Sequence, residues 1–95
     1  MYGLRDDLVN EITGLAEKYG LSAVTLFGSR ARGDYRPRSD IDLAVRGGDC
    51  DRFALDVDEE TSTLLMFDIV NLDRPVQPEL LESIRKDGKL LYAKI

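Results

Sequence analysis

Two short apolar segments, Ile41-Asp42-Leu43-Ala44-Val45 and Met66-Phe67-Asp68-Ile69-Val70-Asn71-Leu72, each hold an aspartate where a buried strand would carry an apolar side chain. Removing an unpaired carboxylate from water is costly, so such a strand must lie at an edge or supply the acid with a cation. Asp40 adds a third acid. It precedes Asp42 by two residues, and alternate residues of a strand share a face, so Asp40 and Asp42 point one way while Ile41, Leu43 and Val45 point the other. If the strand carrying Asp68 lies beside this one, the three acids meet. Convergent carboxylates suit a hard, oxygen-preferring cation such as Mg²⁺, for which phosphate is a favoured co-ligand. The alternative is a solvated strand end, with Asp40 capping a loop and Asp68 at a sheet edge.

The rest of the chain supplies a frame for these strands. Leu4, Leu8, Ile12, Leu15, Ala16 and Tyr19 recur at helical spacing and Gly20 follows, which predicts an amphipathic helix over residues 4–19. Ala23-Val24-Thr25-Leu26-Phe27 predicts a buried strand stopped by Gly28-Ser29. Residues 30–39, with Gly33 and Pro37, predict an irregular loop leading to the strand at 41–45, which Gly47-Gly48 closes. Asp49 is a candidate cap for a helix over about residues 50–65, with Phe53, Val57, Thr61, Leu64 and Leu65 on its inner side. A third strand over 66–72 follows, then a turn at Pro75. Pro78 opens a helix reaching Lys86, Gly88 ends it, and residues 90–95 form a last strand. The order α-β-β-α-β-α-β predicts a small α/β domain, a mixed sheet flanked by helices. With no repeat, linker or low-complexity stretch, residues 1–95 read as a single domain.

Size and charge narrow the function classes. At 95 residues the chain can bury roughly 60% of its unfolded surface, enough for one thin core and too little for a separate substrate lobe. The net charge of −5 disfavours nucleic acid and anionic lipid as partners, so direct nucleic-acid binding is not expected. The charge is uneven, however. Residues 29–39 hold Arg30, Arg32, Arg36 and Arg38 against Asp34, a local +3 that leaves −8 on the remainder. A single cysteine, Cys50, excludes an intramolecular disulfide framework, and the absence of histidine excludes His-based triads and His/Cys zinc sites. The opening residues have neither the apolar stretch nor the basic flank of a secretion signal, and no apolar run of about 18 residues occurs, so the expectation is a cytoplasmic protein without a membrane partner.

Gly28-Ser29 admits two readings. One is a tight turn whose backbone N–H groups and hydroxyl hold phosphate oxygens, glycine permitting close approach. The other is an ordinary strand-ending turn. The segment is not a P-loop, because Asp34 stands where that motif needs lysine, and no Gly-x-Gly-x-x-Gly occurs. Arg30 and Arg32 could neutralise a triphosphate or simply line a solvated loop.

Taken together, these features sit in a fixed register. Phe27-Gly28-Ser29-Arg30-Ala31-Arg32-Gly33, continuing to Ser39-Asp40-Ile41-Asp42-Leu43-Ala44-Val45, with Asp68 on the next strand, resembles the DNA-polymerase-β-like nucleotidyltransferase superfamily, and within it the minimal nucleotidyltransferase (MNT) antitoxins. The resemblance extends over essentially the whole chain. It implies that Asp40, Asp42 and Asp68 bind two Mg²⁺ ions, with Asp40 and Asp42 on both and Asp68 completing the one that activates the acceptor hydroxyl and accepting its proton. It implies further that Gly28 and Ser29 hold the outgoing pyrophosphate while Arg30 and Arg32 offset its charge. The implied activity is transfer of AMP from ATP to a hydroxyl, a tyrosine, on a partner HEPN-type ribonuclease toxin, with which the chain would form a hetero-oligomer. Two alternatives stay open: a non-catalytic antitoxin that occludes its partner, and nucleotidyl transfer to a small molecule.

Overall fold

A computed structural model describes residues 2–94 of the chain. Eight elements follow one another: α1 (Asp6–Lys18), β1 (Ala23–Phe27), α2 (Gly28–Arg32), β2 (Ile41–Arg46), α3 (Cys50–Glu60), β3 (Phe67–Asn71), α4 (Pro78–Asp87) and β4 (Lys89–Ala93). The strands form one mixed sheet in the order β3-β2-β1-β4. β1 is antiparallel to both β2 and β4, whereas β3 runs parallel to β2 after crossing over through α3.

Alternation along the strands gives the sheet two different faces. Val24, Leu26, Ile41, Leu43 and Val45 bury themselves against Leu8, Ile12 and Ala16 of α1 and Cys50, Phe53 and Val57 of α3. The opposite face is covered by α4, where Ile84 meets Phe27 and Ala44, with Leu80, Val70 and Leu72 around them. Asp42 and Asp68 belong to this second, thinner face, because their strand neighbours point into the larger core. No helix among the described residues is long and apolar enough to cross a membrane.

The structure differs from the expected elements in two places, one of order and one of extent. Residues 28–32 are the short helix α2 rather than a turn and loop, so the order is α-β-α-β-α-β-α-β. The helix at Asp49, whose side chain does accept from the Arg52 amide at 3.1 Å, ends at Glu60 instead of Leu65. Glu59 and Glu60 sit at its C-terminus, the unfavourable end of the helix dipole for acids. Beyond it, Ser62 donates its amide (2.9 Å) and its hydroxyl (2.5 Å) to the Glu11 carboxylate, which draws the chain onto α1. Leu64, expected inward, is therefore fully exposed, while Leu65 packs against the core. Of the last expected strand, Ile95 lies outside the described residues.

These environments separate two substitutions sharply. Phe53 is fully buried, so Phe53→Ala should cost about 3–5 kcal/mol in chemical denaturation, a large share of the ~5–15 kcal/mol such a domain has. Leu64→Ala should stay within about 0.5 kcal/mol of the wild type. Equal losses in the two variants would contradict the ending of α3 at Glu60.

Candidate active site

Three strand ends meet on the α4 side of the sheet. In the strand register Phe27 of β1 lies opposite Asp42 of β2, and Asp42 lies opposite Asp68 of β3. Asp40, just before β2, points to the same side by alternation. The condition set by the sequence, that the third strand lie beside the second, is met. Asp42 is partly buried, whereas Asp40 and Asp68 are exposed.

Gly28 closes this corner from the β1 side. Its φ is +73°, a region open to glycine and strained for other residues, and a Cβ added there would fall on the carboxylate of Asp42. The backbone thus approaches the acid more closely than any side chain would permit. Ser29 follows, partly exposed, its hydroxyl unpartnered among the described residues.

The electrostatics of the corner are those of crowded acids. Burial, then the charges of Asp68 and Asp40, hold the Asp42 carboxyl above the ordinary carboxylate range, while Arg32 opposes the shift. Arg32 pairs with Asp34 at 3.4 Å and, more loosely, with Asp87 at the end of α4 at 3.9 Å. Neither Asp87 nor α4 was marked by the sequence as part of this corner; the contact joins residues far apart in the chain.

Arg30, which the resemblance implies offsets pyrophosphate charge, is 2% exposed, its guanidinium turned toward the backbone of residues 37–39 and away from solvent. Its donors are taken up by backbone carbonyls, so among the arginines named from the sequence Arg32 is the one beside the carboxylates. Arg36 and Arg38 are exposed on the intervening loop.

The donor set fits a hard divalent cation. It consists of carboxylate oxygens only, it is short of positive charge, and its central acid is held uncomfortably by its neighbours. Among the described residues no three acids are already drawn into a closed ligand group.

The sequence from residue 10 to residue 94 matches the family model described as polymerase beta, nucleotidyltransferase. The chain belongs to the polymerase β nucleotidyltransferase family. It is a nucleotidyltransferase whose fold is that of minimal nucleotidyltransferases from toxin–antitoxin complexes. It is similar to a toxin–antitoxin crystallised with AMP-PNP (26% identity, TM-score 0.67, covering 90% of this chain and 73% of that one). It also shares its fold with the toxin–antitoxin MntA-HepT (22% identity, TM-score 0.69, covering 95% and 74%). A protein from Shewanella oneidensis has the same fold at 17% identity (TM-score 0.68, covering 96% and 74%). No curated protein sequence matches the chain.

The raised Asp42 pKa fixes the sign of a pH effect. A carboxyl that holds its proton more tightly when folded favours the folded state at pH below its unfolded pKa, and that contribution is lost as pH rises through the folded pKa. In a divalent-free buffer Asp42→Asn of this nucleotidyltransferase should therefore melt higher than the wild type at pH 7, the gap narrowing toward about pH 3. A gap that is absent, or that widens on acidification, would show that Asp42 carries no electrostatic strain.

Proposed function

We propose that this nucleotidyltransferase is a single-domain, cytoplasmic antitoxin that transfers AMP from ATP to a tyrosine hydroxyl of a HEPN-type ribonuclease toxin. The observation that carries the reading is the Asp42–Asp68 register pair beside Gly28. The likeness to a toxin–antitoxin crystallised with AMP-PNP, an ATP analogue, supports both the nucleotide and the partner class. The chain's size supports a protein substrate, which brings its own docking surface.

Each residue then has a task. Asp40, Asp42 and Asp68 would hold Mg²⁺, two ions by the family resemblance, and when bound there the metal neutralises triphosphate charge and orients the acceptor oxygen. Gly28 brings backbone close enough for a phosphate oxygen, and the Ser29 hydroxyl is free to donate to it. Arg32 offsets the charge of the departing pyrophosphate. Asp68, exposed at the rim, takes the proton from the attacking hydroxyl onto a carboxylate oxygen as the new O–P bond forms and the bond to pyrophosphate breaks. Catalysis of this kind is mostly positioning and charge stabilisation.

The test is co-expression with the genomic neighbour followed by intact-mass analysis of that partner. Wild-type chain should add nucleoside monophosphate, located on tyrosine by fragmentation, and Asp42→Ala should lower the rate by ~10²-fold or more. An unmodified partner that is neutralised equally by both forms would establish occlusion instead. Modification of a co-purifying small molecule alone would move the acceptor out of the protein class.

A further inference from the structure

Arg30 is a buried cation, 2% exposed. Its Nε and Nη2 donate to the Ser39 carbonyl at 3.2 and 3.1 Å, Nη2 also donates to the Pro37 carbonyl at 3.3 Å, and Nη1 reaches the Gly3 carbonyl at 3.4 Å. Its guanidinium lies 4.9 Å from the Tyr35 ring centre. No carboxylate pairs with it among the described residues. An apolar side chain of similar volume could fill this space without the cost of desolvating a charge. The planar guanidinium offers what such a chain lacks, a rigid fork of donors that fixes several acceptors at once.

What the fork fixes is the approach to Asp40. The Ser39 carbonyl and the Asp40 amide belong to one planar peptide unit, so holding that oxygen sets the plane from which Asp40 departs. On the other side of Asp40, the Ile41 amide donates to the Met66 carbonyl at 2.9 Å. Asp40 is thus anchored at both flanks. The loop does have bonds of its own, Ser39 amide to Arg36 carbonyl at 3.0 Å and Arg36 amide to Ser39 hydroxyl at 2.8 Å, but these only close the loop on itself. Arg30 attaches it to α2, one residue after Ser29. A single side chain therefore ties the start of α2, at Gly28 and Ser29, to the loop that ends in Asp40.

We propose that Arg30 is a positioning residue that sets Asp40 against Gly28 and Ser29 at the start of α2 rather than a contact to the triphosphate, an inference that rests on Asp40 being a cation ligand. Lysine would keep the charge and lose the fork. The test is Mn²⁺ binding by the intact chain, followed by electron paramagnetic resonance at a temperature where circular dichroism shows every variant folded. Asp40→Asn serves as the reference. Arg30→Lys should weaken Mn²⁺ binding by about tenfold or more, in line with the loss of a partner that orients a metal ligand, and should speed amide exchange at residues 38–41. A residue that merely supports the fold would lower the melting temperature without moving the Mn²⁺ midpoint. Normal Mn²⁺ binding in Arg30→Lys alongside weakened binding in Asp40→Asn overturns the inference and leaves the carboxylate site standing. Weaker ATP binding in EDTA with unchanged Mn²⁺ affinity returns Arg30 to the triphosphate. Unchanged binding in Asp40→Asn removes Asp40 from the site and the inference with it. Should Arg30→Lys fail to fold, Tyr35→Leu, which removes the ring and keeps the donors, is expected to shift Mn²⁺ binding in the same direction by a smaller factor.

Discussion

Asp42 faces Asp68 across two parallel strands, and the rest of this end of the sheet is arranged around that pair of like charges. Parallel pairing makes the encounter unavoidable, since α3 carries the chain back so that β3 starts where β2 starts. The strands are held in this register by their other faces, where Ile41, Leu43 and Val45 sink into the core under α1 and α3. A shift by one residue would bury both acids and expose that apolar row. The core thus enforces a juxtaposition that the acids themselves oppose, a stress that a divalent cation would relieve under the proposed function.

The surrounding parts serve the same corner from different directions. Gly28 lets the backbone stand against the Asp42 carboxylate where any Cβ would collide with it. Arg32 brings positive charge from α2, and Asp87 at the end of α4 loosely restrains it. Arg30 faces away from the acids and grips the loop that delivers one of them. Two arginines two residues apart therefore do different work. Their separation follows from the helical turn, which sends positions 30 and 32 to different sides of α2.

Much of this was legible in the sequence because it depends on local pattern. Alternation in 41–45 put Asp40 and Asp42 on one side, and the glycine after Phe27 marked the end of β1 at the residue where the strand stops. What escaped depends on contacts between distant residues. The acids at 59 and 60 give only a weak local sign that α3 ends there, and the bond that draws the following chain away, from Ser62 to Glu11, spans 51 positions. The helix α2 is only five residues long, too short for periodicity to show. Arg30, flanked by other arginines in a glycine- and proline-bearing stretch, reads as a phosphate contact or a solvated side chain. That the carbonyls of Pro37 and Ser39 turn inward to meet it is a property of the folded loop.

The central claim is that the three strand-end aspartates form one cation site. A crystal grown with Mn²⁺ and a non-hydrolysable ATP analogue, measured for anomalous scattering, tests it most directly. The account predicts anomalous density bounded by Asp40, Asp42 and Asp68, with the triphosphate extending over Gly28 and Ser29. Nucleotide bound with its metal elsewhere, or density that does not touch all three carboxylates, would contradict it.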